Sequence, residues 1–500
     1  MFYSKKHYNL LIFCGLIFIS NSVLFGQIAP SENAESNPQP TYDIQATIME
    51  FRRANVKARP EILALMMKAQ GLMAENKCLE AIAVYNKVIA AKADTGNIYN
   101  NRGYCYSNLK NFELAVQDFN TALKLTPGNP MNYVNRALAY AQMGKFDAAL
   151  ADYNKAIELN PKDALMYNNR ADLLSKTGDY DRALEDQNKA IALHPTKAYF
   201  LSNRGMTYFK KGALDKALEN FNEAIRLDPK LSYAFSNRGQ TFVKQQMLDK
   251  GLADFNRAIE LNPKFGLAYS GRGDVYRLKG EYALALENYN KGLELLPESA
   301  YIFYTRGTTF YLLQKDDLAL ADFNKALAIN PNEAMVYNNR ALIFIRQEKY
   351  QEALADLNKA ISMNNRFSML FVNRAAILIK LTNFGKALED LNQAIAIEPK
   401  ADFYAMRANV NQRLGNADAT LTDLNKAIEL NPTSGILHNN RAIFYFERET
   451  MDKALADLNK AIELNPKLGI AYRNRSMVFE QMGENEKSKN DAEMAKSLGN

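Results

Sequence analysis

The sequence predicts an all-α protein, a solenoid of antiparallel helix pairs, and three observations carry that prediction. The octapeptide NKAIELNP appears verbatim at Asn154, Asn425 and Asn459. An arginine recurs every 34 residues from Arg102 to Arg374, and again at Arg407, Arg441 and Arg475. Between successive arginines, two apolar-periodic stretches flank a short break, and a proline closes most of the segments. A fixed period of this length means stacked units, each burying its apolar face on its neighbours. Such an array also accounts for the length, since 500 residues exceed one ordinary core.

The segment before the array reads differently. Lys5 and Lys6 precede an apolar run from Leu10 to Ile19, and Asn21 and Ser22 lead to Leu24, Phe25 and Gly26. A basic start, a short apolar stretch and a small residue before the cut describe a secretory signal over residues 1–26. The run is short for a membrane span, which takes about 20 apolar residues. Export to the periplasm or beyond is therefore expected, with an uncleaved membrane anchor as the alternative. Phe13 stands where a lipid-anchor signal on Cys14 carries a small residue. Residues 27–58 begin rich in Pro, Ser, Asn and Glu and read as a flexible linker. Pro60 suits the first position of a helix, and residues 59–500 form the array.

Lys68 sits one period before Arg102 and opens a weaker copy, so thirteen units cover roughly residues 62–500. The step from Arg374 to Arg407 is 33, which puts a missing residue in the turn after Pro399. Within units, Gly144, Gly178, Gly212, Gly280, Gly415 and Gly483 mark the break between the two helices. Ten closing prolines, from Pro127 to Pro466, stop the second helix. Counting from the start of each unit, position 8 is Gly, Ala or Ser throughout, position 20 is small, and position 27 is Gly or Ala in all but the first. Small groups there let two helices approach, while Tyr, Phe and Leu at positions 4, 11 and 24 fill the gaps.

With these features in place, the chain resembles the tetratricopeptide-repeat proteins over nearly all of residues 59–500. The resemblance implies a right-handed superhelical solenoid, with the first helix of each unit (helix A) lining a concave groove and the second (helix B) outside. It departs from the family at position 7, where the usual Leu is Arg in twelve units. The same twelve carry an acid or its amide at position 23, from Asp118 to Asp491, with Asn220 and Asn288 as the amides. An unpaired buried guanidinium costs several kcal/mol, so a ladder of Arg–Asp pairs stitching the helices is expected. That ladder also absorbs much of the positive balance, 62 Lys and Arg against 55 Asp and Glu, and weakens a nucleic-acid role.

No catalytic constellation is visible. His194 and His438 fall at unrelated repeat positions, and no acids or thiols converge on them as metal or triad chemistry requires. No cofactor, no metal and no enzyme activity is expected. The tripeptide in Gly271 to Asp274 (GRGD) has the form of an adhesion motif, but Arg272 is a ladder position inside a helix. Cys78 and Cys105 fit as small buried residues better than as a disulfide.

The family resemblance directs positions 2, 5, 6, 9, 12 and 13 into the groove. Position 6 is Asn at Asn101, Asn135, Asn169, Asn203, Asn237, Asn339, Asn373, Asn440 and Asn474. An amide offers both a donor and an acceptor to a peptide backbone. Tyr301, Tyr304 and Tyr311 add aromatic surface on the same face, and Lys176, Lys210, Lys244, Arg346, Lys380 and Arg413 recur at position 13. No unit carries the basic set with which some relatives clamp a C-terminal carboxylate. The function expected is a protein-interaction scaffold holding a peptide or a partner's surface in its groove. A binder of cell-wall glycan and an anchored structural subunit of an envelope complex are the alternatives.

Overall fold

The computed structural model describes residues 60–92 and 95–499; the signal and the whole of the linker lie outside the described residues. Twenty-six helices, and no strand among the described residues, follow one another as thirteen pairs. They group into two compact units, seven pairs running to Pro297 and six pairs from Glu298. No described helix is long and apolar enough to cross a membrane.

One pair shows how the sequence builds the rest. Helix α17 (Ala334–Arg346) and helix α18 (Tyr350–Met363) are joined by a three-residue turn whose central residue, Glu348, is left-handed at φ 57°. The equivalent residue is Gly at Gly144, Gly178, Gly212, Gly280, Gly415 and Gly483, with φ between 73° and 88°. The turn needs that conformation, and only glycine adopts it freely. Helix α18 ends where Asn364 turns extended, at φ −143°. Before a closing proline the residue is likewise extended at Asn262 and Asn330. The shortened unit behaves as expected: Glu398, Pro399 and Lys400 alone separate its last helix (Phe384–Ile397) from the next (Ala401–Arg413).

Packing follows the small-residue rule. Ala341, Ala353 and Ala360 are fully buried where α17 and α18 cross, and Leu357 fills the space beside them. Their cluster also takes in Leu370 and Ile377 from the following helix A. This core is therefore shared with the next pair. In the first unit, Val134, Tyr153, Met166 and Leu173 make the same arrangement. In five pairs a glycine at position 8 faces an aromatic ring at position 24, whereas Ala69 and Ala137 stand opposite Tyr85 and Tyr153. A Cβ on Gly205 would lie 2.7 Å from the ring of Phe221, and one on Gly307 would lie 2.9 Å from Phe323. Where position 24 is Leu, position 8 holds Ala, as at Ala341 and Ala375. Cys78 and Cys105 are buried free thiols in one apolar cluster with Ile62 and Tyr85.

Candidate interaction surface on the helix-A face

The arginine of position 7 is a clamp with two jaws. Arg340 donates through Nε and Nη2 to both oxygens of Asp356, at 2.8 and 2.7 Å, and so ties helix A to helix B of its own pair. Its Nη1 donates to Asn324 Oδ1 of the preceding pair at 2.6 Å. Tyr337 and Phe344 lie on either side of the guanidinium, 5.5 and 5.9 Å from ring centre to charge. The same double clamp joins Arg102 to Asp118 and Asn86, and Arg475 to Asp491 and Asn459. Hydrogen bonding to the carboxylate raises Arg102, Arg340 and Arg475 above the ordinary arginine range. The bidentate fork suits arginine and excludes lysine. These side chains are structural.

Two rungs differ. Arg204 and Arg272 donate to Asn220 and Asn288, each by a single Nε bond of 2.8 Å. The amide nitrogens turn back to backbone carbonyls of their own helices, at Lys216 and Leu284. With no carboxylate opposite, burial pulls Arg204 below its ordinary value.

The asparagine of position 25 was missed by sequence reasoning, although its signal stood in view. It is the first letter of NKAIELNP, and it occupies that position in twelve successive units, from Asn86 to Asn459. The last unit, with no described helix pair after it, has Glu493 instead. The repeated octapeptide thus begins with the acceptor for the next unit's arginine.

The nine asparagines of position 6 are not equivalent. Asn135 donates to Asn100 at 3.0 Å, Asn203 to Asn168 at 3.1 Å, Asn373 to Asn338 at 2.8 Å and Asn474 to Asn439 at 2.8 Å. Each acceptor is the position-5 residue of the preceding pair, so these amides form a second seam between pairs. Asn339 reaches Tyr304 Oη at 3.3 Å and Thr308 Oγ1 at 3.4 Å, Asn440 accepts from Asn439, and Asn101 bonds Tyr85. Asn169 and Asn237 follow Val134 and Ser202, which offer no amide, and they bond no described side chain. Both are half-buried.

The aromatic candidates are also partly committed. Tyr304 accepts from Asn339 and lies 6.2 Å from Phe323, centre to centre. Tyr311 is buried beneath Arg346, whose charge sits 4.4 Å from its ring centre and pairs with Asp316. Tyr301 remains half-buried on the same face as Tyr304. Elsewhere, His438 Nδ1 lies 3.2 Å from Asp457, the carboxylate that Arg441 also holds. Asp274 of the GRGD motif is buried and accepts from Tyr289 Oη at 2.8 Å, while Arg272 is held in its rung. Among the described residues no group of three acids, histidines or cysteines is placed to hold a metal.

Comparison with known proteins agrees with this architecture. Sequence profiles described as tetratricopeptide repeat match residues 96–129, 133–163, 152–185, 232–265, 323–355 and 405–468. A profile described as TPR repeat matches 205–246 and 273–314. Together these cover more than half of the sequence, and the chain belongs to the tetratricopeptide-repeat family. Repeats of this family serve as protein-interaction scaffolds. No curated protein matches the chain in sequence. Among solved structures, it is similar to the crystal structure of the APC/C hetero-tetramer Cut9-Hcn1. That match has 12% identity and a TM-score of 0.46, over 86% of this chain and 99% of that one.

Proposed function

We propose that the chain is a non-enzymatic scaffold that holds an extended peptide segment along the helix-A face of its first compact unit. The observation that carries this reading is the pair Asn169 and Asn237, two half-buried amides with no partner among the described residues. Every other position-6 asparagine bonds a neighbouring side chain, so these two alone have their donor and acceptor unspent. They lie two repeats apart on the same face, which suits an extended backbone with its own unspent N–H and C=O groups. The basic start and short apolar run of residues 1–26 favour export, with an uncleaved membrane anchor as the alternative, and a mature N-terminus near Gln27 would support export.

The test begins with peptides selected from a random library against the full chain. Substituting Asn169 and Asn237 together by Ala should weaken selected peptides about tenfold, at roughly 0.5–1.5 kcal/mol per lost bond, with little change in melting temperature. The pair Asn135 and Asn203, treated alike, should lower the melting temperature because it opens the seam. Unchanged affinity in the first variant would remove these amides from the mechanism. Selection of glycans and no peptides in a parallel array would replace the peptide ligand altogether.

A further inference from the structure

We infer that the groove over helices α7 (Ala164–Lys176), α9 (Ala198–Lys211) and α11 (Ser232–Lys244) takes an acidic segment, one whose Asp or Glu side chains are met by Lys176, Lys210 and Lys244. This deepens the reading above and rests on it.

The fold distributes its acids unevenly along this face. Each of these three lysines stands at position 13 in the last turn of its helix A, and a position-14 residue follows it directly. After Lys210 and Lys244 the preceding helix B supplies a carboxylate at position 14: Lys211 pairs with Asp181 and Gln245 donates to Asp215 at 3.0 Å, as Lys279 meets Asp249 at 2.8 Å one repeat on. Thr177, after Lys176, donates to backbone carbonyls of its own helix. One residue earlier, the supply stops. Lys176, Lys210 and Lys244 make no ion pair with any described residue. Lys244 rests on the ring of Phe209, 4.6 Å from its centre, and Lys176 lies 5.9 Å from that of Phe146. The position-13 cation Arg346, by contrast, has Asp316. Helix dipoles tolerate cations at these ends, but they do not explain why acids are given to the neighbours of Lys210 and Lys244 and withheld from the lysines themselves.

The surroundings add to the picture. Asp172 is the carboxylate that acts on both Lys210 and Lys176. It keeps a solvent-accessible surface although protein surrounds it on most sides, as a group on the floor of a concavity does. Burial raises its carboxyl above the usual range against the pull of Lys210 and Lys176. Burial also lowers Lys210, with Lys176 adding to the effect and Asp172 opposing it. Lys176 and Lys210 therefore share one acid, and Lys244, exposed two repeats on from Lys176, has none. An incoming carboxylate relieves the repulsion between Lys176 and Lys210 and supplies Lys244 with a counter-ion.

Calorimetry on the full chain tests this with three synthetic peptides: alternating Glu and Ala, the same with Gln for Glu, and the same with Lys for Glu. The Glu peptide should bind about tenfold tighter than the Gln peptide, and the Lys peptide should not bind. Lys176→Gln, Lys210→Gln and Lys244→Gln together should abolish the preference for Glu. Asp172→Asn should tighten the Glu peptide several-fold, a gain that a damaged fold cannot produce. Equal affinity for Glu and Gln peptides overturns the acidic ligand but leaves the groove reading standing. A Glu preference that survives the triple variant places the site elsewhere and overturns the inference. Failure of all three peptides also overturns it, and the library selection then decides the groove reading on its own.

Discussion

The two compact units follow one plan with different chemistry. In the unit that ends at Pro297, positions 8 and 24 pair Gly with an aromatic ring four times: Gly103 with Phe119, Gly205 with Phe221, Gly239 with Phe255 and Gly273 with Tyr289. In the unit from Glu298, Gly307 and Phe323 do so once. Ala with Leu then takes over, at Ala341 and Leu357, Ala375 and Leu391, Ala408 and Leu424, and Ala442 and Leu458. The ladder differs as well. Two rungs of the first unit have an amide opposite arginine, Asn220 and Asn288, whereas all six of the second have Asp. The position-13 cations Lys176, Lys210 and Lys244 of the first unit and Lys380 and Arg413 of the second make no ion pair with a described residue, whereas Arg346 of the second has Asp316. A mid-helix glycine costs about 1 kcal/mol against alanine, and a neutral rung is about half as strong as a charged one. The first unit thus carries the weaker framework.

Removing a rung should have the largest effect. Arg340→Ala leaves Asp356, whose side chain is only 8% exposed, without its counter-ion and frees Asn324. A loss of about 2–4 kcal/mol is expected in that neighbourhood. Because contacts in the array are nearest-neighbour, hydrogen exchange should rise across residues 324–367 and return to normal within one pair on either side. Protection unchanged there would mean that the guanidinium carries no structural load.

A smaller effect should come from exchanging the core chemistry. Leu357→Phe brings the ring of the first unit against the Cβ of Ala341, and should cost about 1–3 kcal/mol by overpacking. Adding Ala341→Gly should recover most of the loss, since Gly205 and Gly307 make that same room for a ring. Denaturant unfolding of the single and double variants gives the coupling. Additive effects would show that positions 8 and 24 are not matched.

Much of this was legible in the sequence, for a physical reason. The helices, turns and closing prolines depend on local backbone preferences, which a repeat states thirteen times over. The shortened turn at Pro399 and the partnership of Arg340 with Asp356 were legible because position and charge both recur. The second jaw was harder to see. Asn324 is a neutral residue on the outer helix, and nothing about its own unit shows that it serves the next one. The surface was the least legible part. Asn203 and Asn237 look identical in sequence, yet one is spent on Asn168 and the other faces Ser202 and has no such partner. What decides is a residue at a different position in the preceding unit, and no single-position pattern displays that.

The central claim is that position 23 sets the strength of each unit's framework through the charge it presents to arginine. The most direct measurement is a reciprocal exchange, Asn220→Asp and Asp356→Asn, with hydrogen exchange read around both rungs in each variant. Opposite changes are predicted. The new carboxylate at 220 should slow exchange around Arg204 by about 1 kcal/mol, and the new amide at 356 should speed it around Arg340 by a similar amount. Changes of the same sign, or none at either rung, would contradict the account.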